Sequence, residues 1–504
     1  MTDQTASYRR ILRSSSIIGG ASVINILLGL LRTKVLAVLL GPAGVGLVSL
    51  YTGLISTAAT VGTMGLGTVG TQQIAEANGN EDTRALAVMR RAMFWGALLL
   101  ACAGAFALWS LREILAVGVL GSAEHAGIVG WLSLGVALSV ASASQSALIQ
   151  GMRHVGDLAR LSVYGTFLNT GFGIALLWQW GNAGLVAYVL VGPLVSFVLG
   201  HVYVSRLPKA GTDNISILEL ARKWKSLLQV GIAFMGAGLA GSLIQLWIRV
   251  EVGNALGSEA LGHFQAAWMI SIQYIGFVLG AMGADYYPRL TGVIHDHKAA
   301  ACLVNEQTEI ALLLSAPALI AMMGLAPWVI QLLYSAAFVP AVEVLRWQIL
   351  GDALKVASWP LGYVILAAGD GKTYFWTETS AVLLMGALIA GFTPVMGLQV
   401  TGISFLACYL FYLPLVHMLA RRRIGFQWSS AVVRFLAATF ATCIGVGLLA
   451  SMTRWGVLAG CVMTVVFGLF ALGRLSHMSD LRGPMARIGA IYRWSFKRIR
   501  GWRD

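Results

Sequence analysis

Apolar residues run along this chain in blocks of about 20, broken by short polar stretches that hold most of its charge. That pattern is neither the amphipathic stripe of a soluble helix nor the alternation of a half-buried strand. A block such as Leu98 to Leu120 is long enough to cross a bilayer as a helix, whereas barrel strands need about half that length and alternate. The sequence predicts six spans near 17–40, 45–73, 92–118, 127–150, 160–180 and 183–205. Six more lie near 227–249, 259–287, 307–333, 341–368, 375–396 and 399–420, followed by a further pair at 432–452 and 455–473. In lipid every backbone N–H and C=O needs an internal partner, so the expectation is an all-α polytopic membrane protein of about fourteen transmembrane helices.

The spans divide the chain into an N-lobe at 1–206, a cytoplasmic linker at 207–226, a C-lobe at 227–420, two extra spans within 421–475 and a basic cytoplasmic tail at 476–504. In the linker, Ser216-Ile-Leu-Glu219 has capping-box spacing and leads into Leu220, Trp224 and Leu227 among Arg222, Lys223 and Lys225. This predicts an interfacial amphipathic helix. In the tail, Ile488, Ile491, Tyr492, Ile499 and Trp502 predict a second one. The two sets of six repeat when shifted by 216 residues, which lays Gly41-Pro-Ala-Gly-Val-Gly46 over Gly257-Ser-Glu-Ala-Leu-Gly262. Each string follows a helix whose last turns are charged, with Arg32 and Lys34 in one and Arg249 and Glu251 in the other. Both copies start on the same side, so the two six-helix lobes are expected to be related by a parallel pseudo-two-fold axis.

Composition agrees with this map: 58% of residues are hydrophobic, 11% are charged, and mean hydropathy is +0.77. The formal net charge of +14 would suit nucleic acid if it were clustered on one folded face. Instead 28 of the 35 Lys and Arg residues fall in the two tails and in alternate connections. Arg112, Arg249, Arg346 and Arg454 lie on the other side, and Arg32, Lys34 and Lys355 lie inside spans. This bias predicts cytoplasmic termini and a basic surface that meets anionic membrane lipid, with no need for nucleic acid. We read no signal peptide in Met1 to Ser16, which lacks a small-residue cleavage site after a short apolar core. The five cysteines (Cys102, Cys302, Cys408, Cys443, Cys461) are scattered without metal or redox spacing, so packing roles are expected and no metal or cofactor.

Candidate chemistry lies with ionisable residues inside spans, where a charge costs about 2.5 to 3.5 kcal/mol on insertion scales and normally faces an aqueous cavity. Arg32 and Lys34 are two apart and point in different directions on a helix. One faces the cavity and the other snorkels to a headgroup. Asp352, Lys355 and Trp359 share a face of the tenth span. Either the first two form an ion pair that lets the helix insert, or Lys355 attracts an anion while Asp352 neutralises it or exchanges a proton. Glu378 in the next span could line the cavity or sit in the headgroup zone. Asp285, in Gly283-Ala-Asp-Tyr-Tyr-Pro-Arg289, could pin a helix end through Arg289 or join the ion-coupling set. Gly65-Leu-Gly-Thr-Val-Gly70 matches a dinucleotide-binding string, but it lies in an apolar span and reads as packing glycine. Gly371-Lys-Thr373 lacks the earlier glycine of a phosphate-binding loop, since position 366 is Leu.

Two blocks carry a resemblance. Lys34-Val-Leu-Ala-Val-Leu-Leu-Gly-Pro-Ala-Gly-Val-Gly46 and Leu350-Gly-Asp-Ala-Leu-Lys-Val-Ala-Ser-Trp-Pro-Leu-Gly-Tyr363 resemble the Wzx-type lipid-linked oligosaccharide flippases. These belong to the multidrug/oligosaccharidyl-lipid/polysaccharide exporter superfamily, and the second block is similar to the branch that moves enterobacterial common antigen and O-antigen units. The resemblance runs over residues 10–420 and leaves out the two last spans. It implies two lobes around a central cavity in the bacterial inner membrane, opening alternately to either side. The implied substrate is an oligosaccharide on undecaprenyl pyrophosphate. Lys34, Arg32, Lys355 and Arg249 would then hold the pyrophosphate, and Asp352, Glu378 and Asp285 would couple transport to an ion gradient, as in an antiporter. A polysaccharide polymerase and a chain-length regulator are the protein partners it implies.

Two other classes stay open at this point. A multidrug or toxin exporter of the same superfamily would want carboxylates in excess for cationic substrates, whereas the candidates here are mostly basic. A polysaccharide polymerase or ligase would present a large periplasmic loop, and no periplasmic connection here exceeds about 20 residues. No acid and base constellation for hydrolysis appears, so a non-enzymatic transporter is the expectation.

Overall fold

The computed structural model describes residues 2–80, 82–208, 216–453 and 455–478. The amphipathic helix expected in the tail lies outside these residues. Among the described residues every regular element is helical. The first long helix, α1 (Thr2–Thr63), is bent at Gly41, whose φ of 65° and ψ of −171° suit glycine. Pro42 follows it and supplies no backbone N–H, so a helix restarts there without losing a donor. After α1 the chain turns through Met64 and Gly65, with φ of 45° and 72°, into α2 (Leu66–Gly79). The span expected over 45–73 is therefore broken, and Gly65 serves the break as well as the packing.

Then follow α3 (Thr83–Ser110), α4 (Arg112–Leu120), α5 (Ala126–Gly151), α6 (Val155–Trp180) and α7 (Leu185–Ser205). The longest helix, α8 (Ile217–Val293), bends at Gly257 with φ of 88° and ψ of 168°. The chain continues through α9 (His297–Leu333), α10 (Ala341–Ala367), α11 (Gly371–Met396), α12 (Gln399–Ile424), α13 (Ser430–Met452) and α14 (Trp455–Met478). Among the described residues ten helical segments are long and apolar enough to cross a membrane, or eleven if the bent pair Gly238–Gly280 and Asp285–Val293 is one span. Two of the ten, Gly19–Thr63 and Val155–Ser205, are 45 and 51 residues long. Each is about twice the roughly 20 residues that one crossing takes.

The chain forms two compact units, one of residues 1–262 with 333–337 and one of 263–332 with 338–504. In the first, the linker from Ile217 onward is the opening of α8 and runs on into the span without a break. It is held on α3 by an Arg84–Glu219 ion pair at 3.7 Å and by the Trp224 ring, which fills the notch left by Gly96. The bends of α1 and α8 also meet reciprocally. A Cβ on Gly46 would lie 2.1 Å from the Ser258 carbonyl oxygen, and one on Gly262 would lie 1.9 Å from that of Pro42. Pro42 and Ser258, like Gly46 and Gly262, are 216 residues apart, so the repeat read from the sequence makes a self-complementary seam.

In the second unit α10 is the least apolar spanning helix and the most deeply buried. Surrounding helices spare its polar side chains from lipid, which is what lets such a sequence span. Its most extensive partner is α12, which closes on it where Gly351 faces Phe405 and Gly402 faces Val344 and Trp347.

Candidate functional site

The seven candidate residues divide between the two units. In the first, Arg32 and Lys34 are half-buried on α1, seven to nine residues before the Gly41 bend. Arg249 stands eight residues before the Gly257 bend. Its guanidinium occupies the notch at Gly53, where a Cβ would come 2.8 Å from Nη1, and its Nε is buried without a hydrogen-bond partner. Both bends are thus preceded by cations, as the repeat suggests.

In the second unit Lys355 and Glu378 come together. They line a cavity of about 170 Å³ with Trp359, Tyr363, Tyr374, Tyr409 and Tyr412. That is smaller than the roughly 300–1,000 Å³ of a whole ligand pocket, so it has room for only part of a large ligand. The Lys355 ammonium lies 5.8 Å from the centroids of both Phe405 and Tyr409, within reach of their negative π faces. The Tyr412 hydroxyl donates to Glu378 Oε1, which orients the carboxylate from α12. Gly362 keeps the wall open, since a Cβ there would sit 3.1 Å from the Tyr412 oxygen and 3.9 Å from Glu378 Oε1. Glu378 is thereby a cavity residue.

The aromatic wall has its own support. Trp359 and Tyr363 are one turn apart on α10, with ring centroids at 4.8 Å and an edge-on angle of 64°. Behind them Tyr286 is fully buried, 5.9 Å from Trp359 and 5.8 Å from Tyr363, and its hydroxyl donates to the Pro360 carbonyl at 3.0 Å. Gly283 makes room, because a Cβ there would meet the Trp359 ring at 3.0 Å. The Gly283 to Arg289 string therefore buttresses the wall. Asp285 itself does not line the cavity: it is exposed and paired to Arg289 at 3.2 Å.

Asp352 shares the face of Lys355 but lies deeper. It is fully buried, Ser271 of α8 donates to its Oδ2 at 2.7 Å, and its Oδ1 has no partner. One turn earlier both amide atoms of Gln348, also fully buried, lack partners. Of the two readings left open for Asp352 and Lys355, no direct ion pair forms among the described residues: the acid accepts from a hydroxyl and the base lies near aromatic faces. At the end of α10, Gly371-Lys-Thr373 opens α11. Asp370 caps it, accepting from the Thr373 N–H at 2.9 Å and the Thr373 hydroxyl at 2.7 Å, and binds Arg423 of α12. The Thr373 N–H, then Arg423 and the Thr373 hydroxyl, hold the Asp370 carboxyl well below the usual carboxylate range.

Tyr363, Tyr374, Tyr409, Tyr412 and Ser271 were missed by sequence reasoning. The helical spacings were available: Lys355, Trp359 and Tyr363 at four, Tyr374 and Glu378 at four, Phe405, Tyr409 and Tyr412 at four and three. What the pattern lacks is which helices bring these stripes together.

Comparison with known proteins places this geometry. The fold is similar to that of a solved multidrug resistance MATE family transporter of the MOP superfamily, a structure captured inward-facing, with a TM-score of 0.65, 16% identity, and 81% of this chain and 96% of that one covered. Lipid II flippase MurJ in an inward closed conformation matches with a TM-score of 0.67 and 12% identity, covering 91% of this chain and 99% of its own. In sequence the chain is similar to the lipid III flippase of Escherichia coli (strain K12), 24% identical over 419 residues that make up 80% of this chain and 97% of that protein. It is also similar to the teichuronic acid biosynthesis protein TuaB of Bacillus subtilis (strain 168), 21% identical over 47% of this chain and 49% of that one. The match to the family described as polysaccharide biosynthesis protein covers residues 35–343, well over half of the chain. With that coverage, this multi-pass membrane protein belongs to the polysaccharide biosynthesis protein family.

Proposed function

We propose that this chain is a flippase that carries an undecaprenyl-pyrophosphate-linked oligosaccharide from the cytoplasmic to the periplasmic leaflet of the inner membrane. The observation that carries the reading is the Lys355 cavity, a single cation set among aromatic faces on the most buried spanning helix. A diphosphate needs a cation held away from hydrocarbon, and the apolar C–H faces of sugar rings need aromatic walls. Similarity to the lipid III flippase along 97% of that protein supports the same substrate class. Lys355 binds the pyrophosphate in this reading, with Lys34, Arg32 and Arg249 as further anion-binding residues and Trp359 and Tyr363 against the glycan.

Ion coupling falls to Asp352 and Glu378. A fully buried carboxylate with one hydroxyl partner is costly as a bare anion, so Asp352 suits a site that takes up and releases a proton or a small cation. Asp285, paired with Arg289 outside the cavity, stands apart from this set. The topology proposed is fourteen spans with both termini cytoplasmic, and the partners are a polysaccharide polymerase and a chain-length regulator.

The test is substrate choice. Purified protein in proteoliposomes should move a fluorescent undecaprenyl-pyrophosphate glycan and leave lipophilic cationic dyes where they are. Dye export without glycan movement would overturn the proposal in favour of a drug exporter.

A further inference from the structure

The second unit carries another recess, on the lipid-facing side of α10 and α12 where α13 leans over them. It is a groove of about 610 Å³, far larger than the Lys355 cavity, and Lys355 and Glu378 take no part in it. Its depth is apolar, with Met323, Leu406, Leu410, Phe440 and Ile444 among its walls. Leu410 and Leu448 are half or more exposed at its open side, which in a spanning helix means exposure to acyl chains.

Polar groups gather at one end only. Glu343 lies in the first turn of α10, Arg346 one turn further, Gln399 begins α12, and Ser451 closes α13. These are helix ends on the same side of the bundle, the level of a headgroup. Arg346 Nη2 donates to the Ala450 carbonyl at 3.2 Å, while Nε is buried without a partner. Glu343 accepts from Gln399 Nε2, which fixes its carboxylate at the mouth. From Gln399 to Leu410 the groove wall follows α12 for about 16 Å, at 1.5 Å per residue. A polar mouth above a long apolar trough open to the bilayer has the shape of a lipid site.

We infer that this groove binds a phospholipid with a zwitterionic ethanolamine headgroup, its phosphate on Arg346, its ammonium on Glu343 and one acyl chain along α12 and α13. The charge pattern chooses the headgroup. A guanidinium alone would favour any phosphate lipid, but the fixed carboxylate three residues away repels a purely anionic headgroup and matches an ammonium. The α13 helix thereby gains a role as one wall of a structural lipid site. The inference stands apart from the transport reading, since lipid retention is measured without transport.

Native mass spectrometry of the full chain released from mild detergent tests it, after back-titration with phosphatidylethanolamine, phosphatidylglycerol or undecaprenyl phosphate. One phosphatidylethanolamine should be retained about tenfold more strongly than phosphatidylglycerol, the size of one strong charge-assisted hydrogen bond. Arg346→Gln should lower retention of both phospholipids about tenfold, and Arg346→Lys should restore most of it. Glu343→Gln should erase the headgroup preference while leaving binding. Ile444→Trp, which fills the trough without touching the mouth, should displace the lipid while the helix content and melting temperature stay at the parent values. Equal retention of the two phospholipids by the parent protein, or retention untouched by Arg346→Gln and Ile444→Trp, would overturn the inference. Displacement by undecaprenyl phosphate at equal concentration would also overturn it and would make the groove a prenyl-chain site.

Discussion

Adding one methyl group at the seam between the bends of α1 and α8 has a consequence that can be worked out from distances. On Gly262 a Cβ would stand 1.9 Å from the Pro42 oxygen, and on Gly46 it would stand 2.1 Å from the Ser258 oxygen. Side-chain carbons are essentially never closer than 3.0 Å to such atoms, so the backbones must separate by about 1.1 Å in the first case and 0.9 Å in the second. Both obstacles are main chain and cannot rotate aside. Overpacking of this kind costs about 1–3 kcal/mol. Alanine in a helix recovers about 0.5–1 kcal/mol over glycine. The net loss for Gly262→Ala is therefore roughly 0–2.5 kcal/mol, or about 1–3 kcal/mol relative to an alanine at an open helical position, and for Gly46→Ala nearly the same, because the repeat makes the two contacts equivalent. The double variant should cost less than the sum, since a seam opened for one methyl also admits the other. Thermal unfolding in detergent, with Gly276→Ala and Gly280→Ala as controls at open positions, measures all of these. If Gly262→Ala melts like the controls, or if the double variant is additive, the reciprocal seam is not the contact described.

Three further outcomes follow from the second unit. Trp359→Ala and Tyr363→Ala should each weaken apparent glycan affinity severalfold, by about the 0.5–1.5 kcal/mol of an aromatic contact, while Trp359→Phe keeps most of it; transport KM with a varied glycan reads this out. Asp352→Asn keeps the shape and the Ser271 contact, so it should leave the melting temperature unchanged and abolish the response of transport to an imposed proton or sodium gradient. Asp370 has its carboxyl held below the ordinary range in the folded state, so the stability it contributes is complete above the unfolded value near 3.9 and is lost as pH falls through the lower folded value. Asp370→Asn should lower the melting temperature at pH 7 and flatten its decline as pH falls below about 4, measured by scanning fluorimetry.

How much of this was legible in the sequence depends on the range of the physics. The 20-residue apolar blocks record a requirement that each helix meets alone, so an all-helical, multi-pass membrane class could be read from composition, while the number of spans and their breaks could not. The repeat at Gly41 and Gly257 was readable because a positive φ selects glycine locally, and both residues do mark bends. The break at Met64 was invisible, since a methionine at positive φ is imposed by its surroundings, here with Gly65 packed on the Gly231 backbone. Lys355 and Glu378 were found because a charge inside a span is expensive wherever it points. The Tyr412 contact to Glu378 and the Ser271 contact to Asp352 join residues 34 and 81 positions apart, and no local period encodes such pairings. For the same reason sequence spacing put Asp352 and Lys355 on one face but left open whether they pair, and the hydroxyl and the aromatic rings that surround them come from other helices.

The most direct test of the account is the initial rate at which proteoliposomes translocate a fluorescent undecaprenyl-pyrophosphate oligosaccharide, compared for the parent protein, Lys355→Arg and Lys355→Ala at equal insertion by immunoblot. If Lys355 binds the diphosphate as proposed, losing its charge-assisted hydrogen bonds removes about 1.5–3 kcal/mol, a fall of roughly 10- to 150-fold for Lys355→Ala. Lys355→Arg should retain a large part of the rate. Parent-level translocation by well-inserted Lys355→Ala would contradict the account.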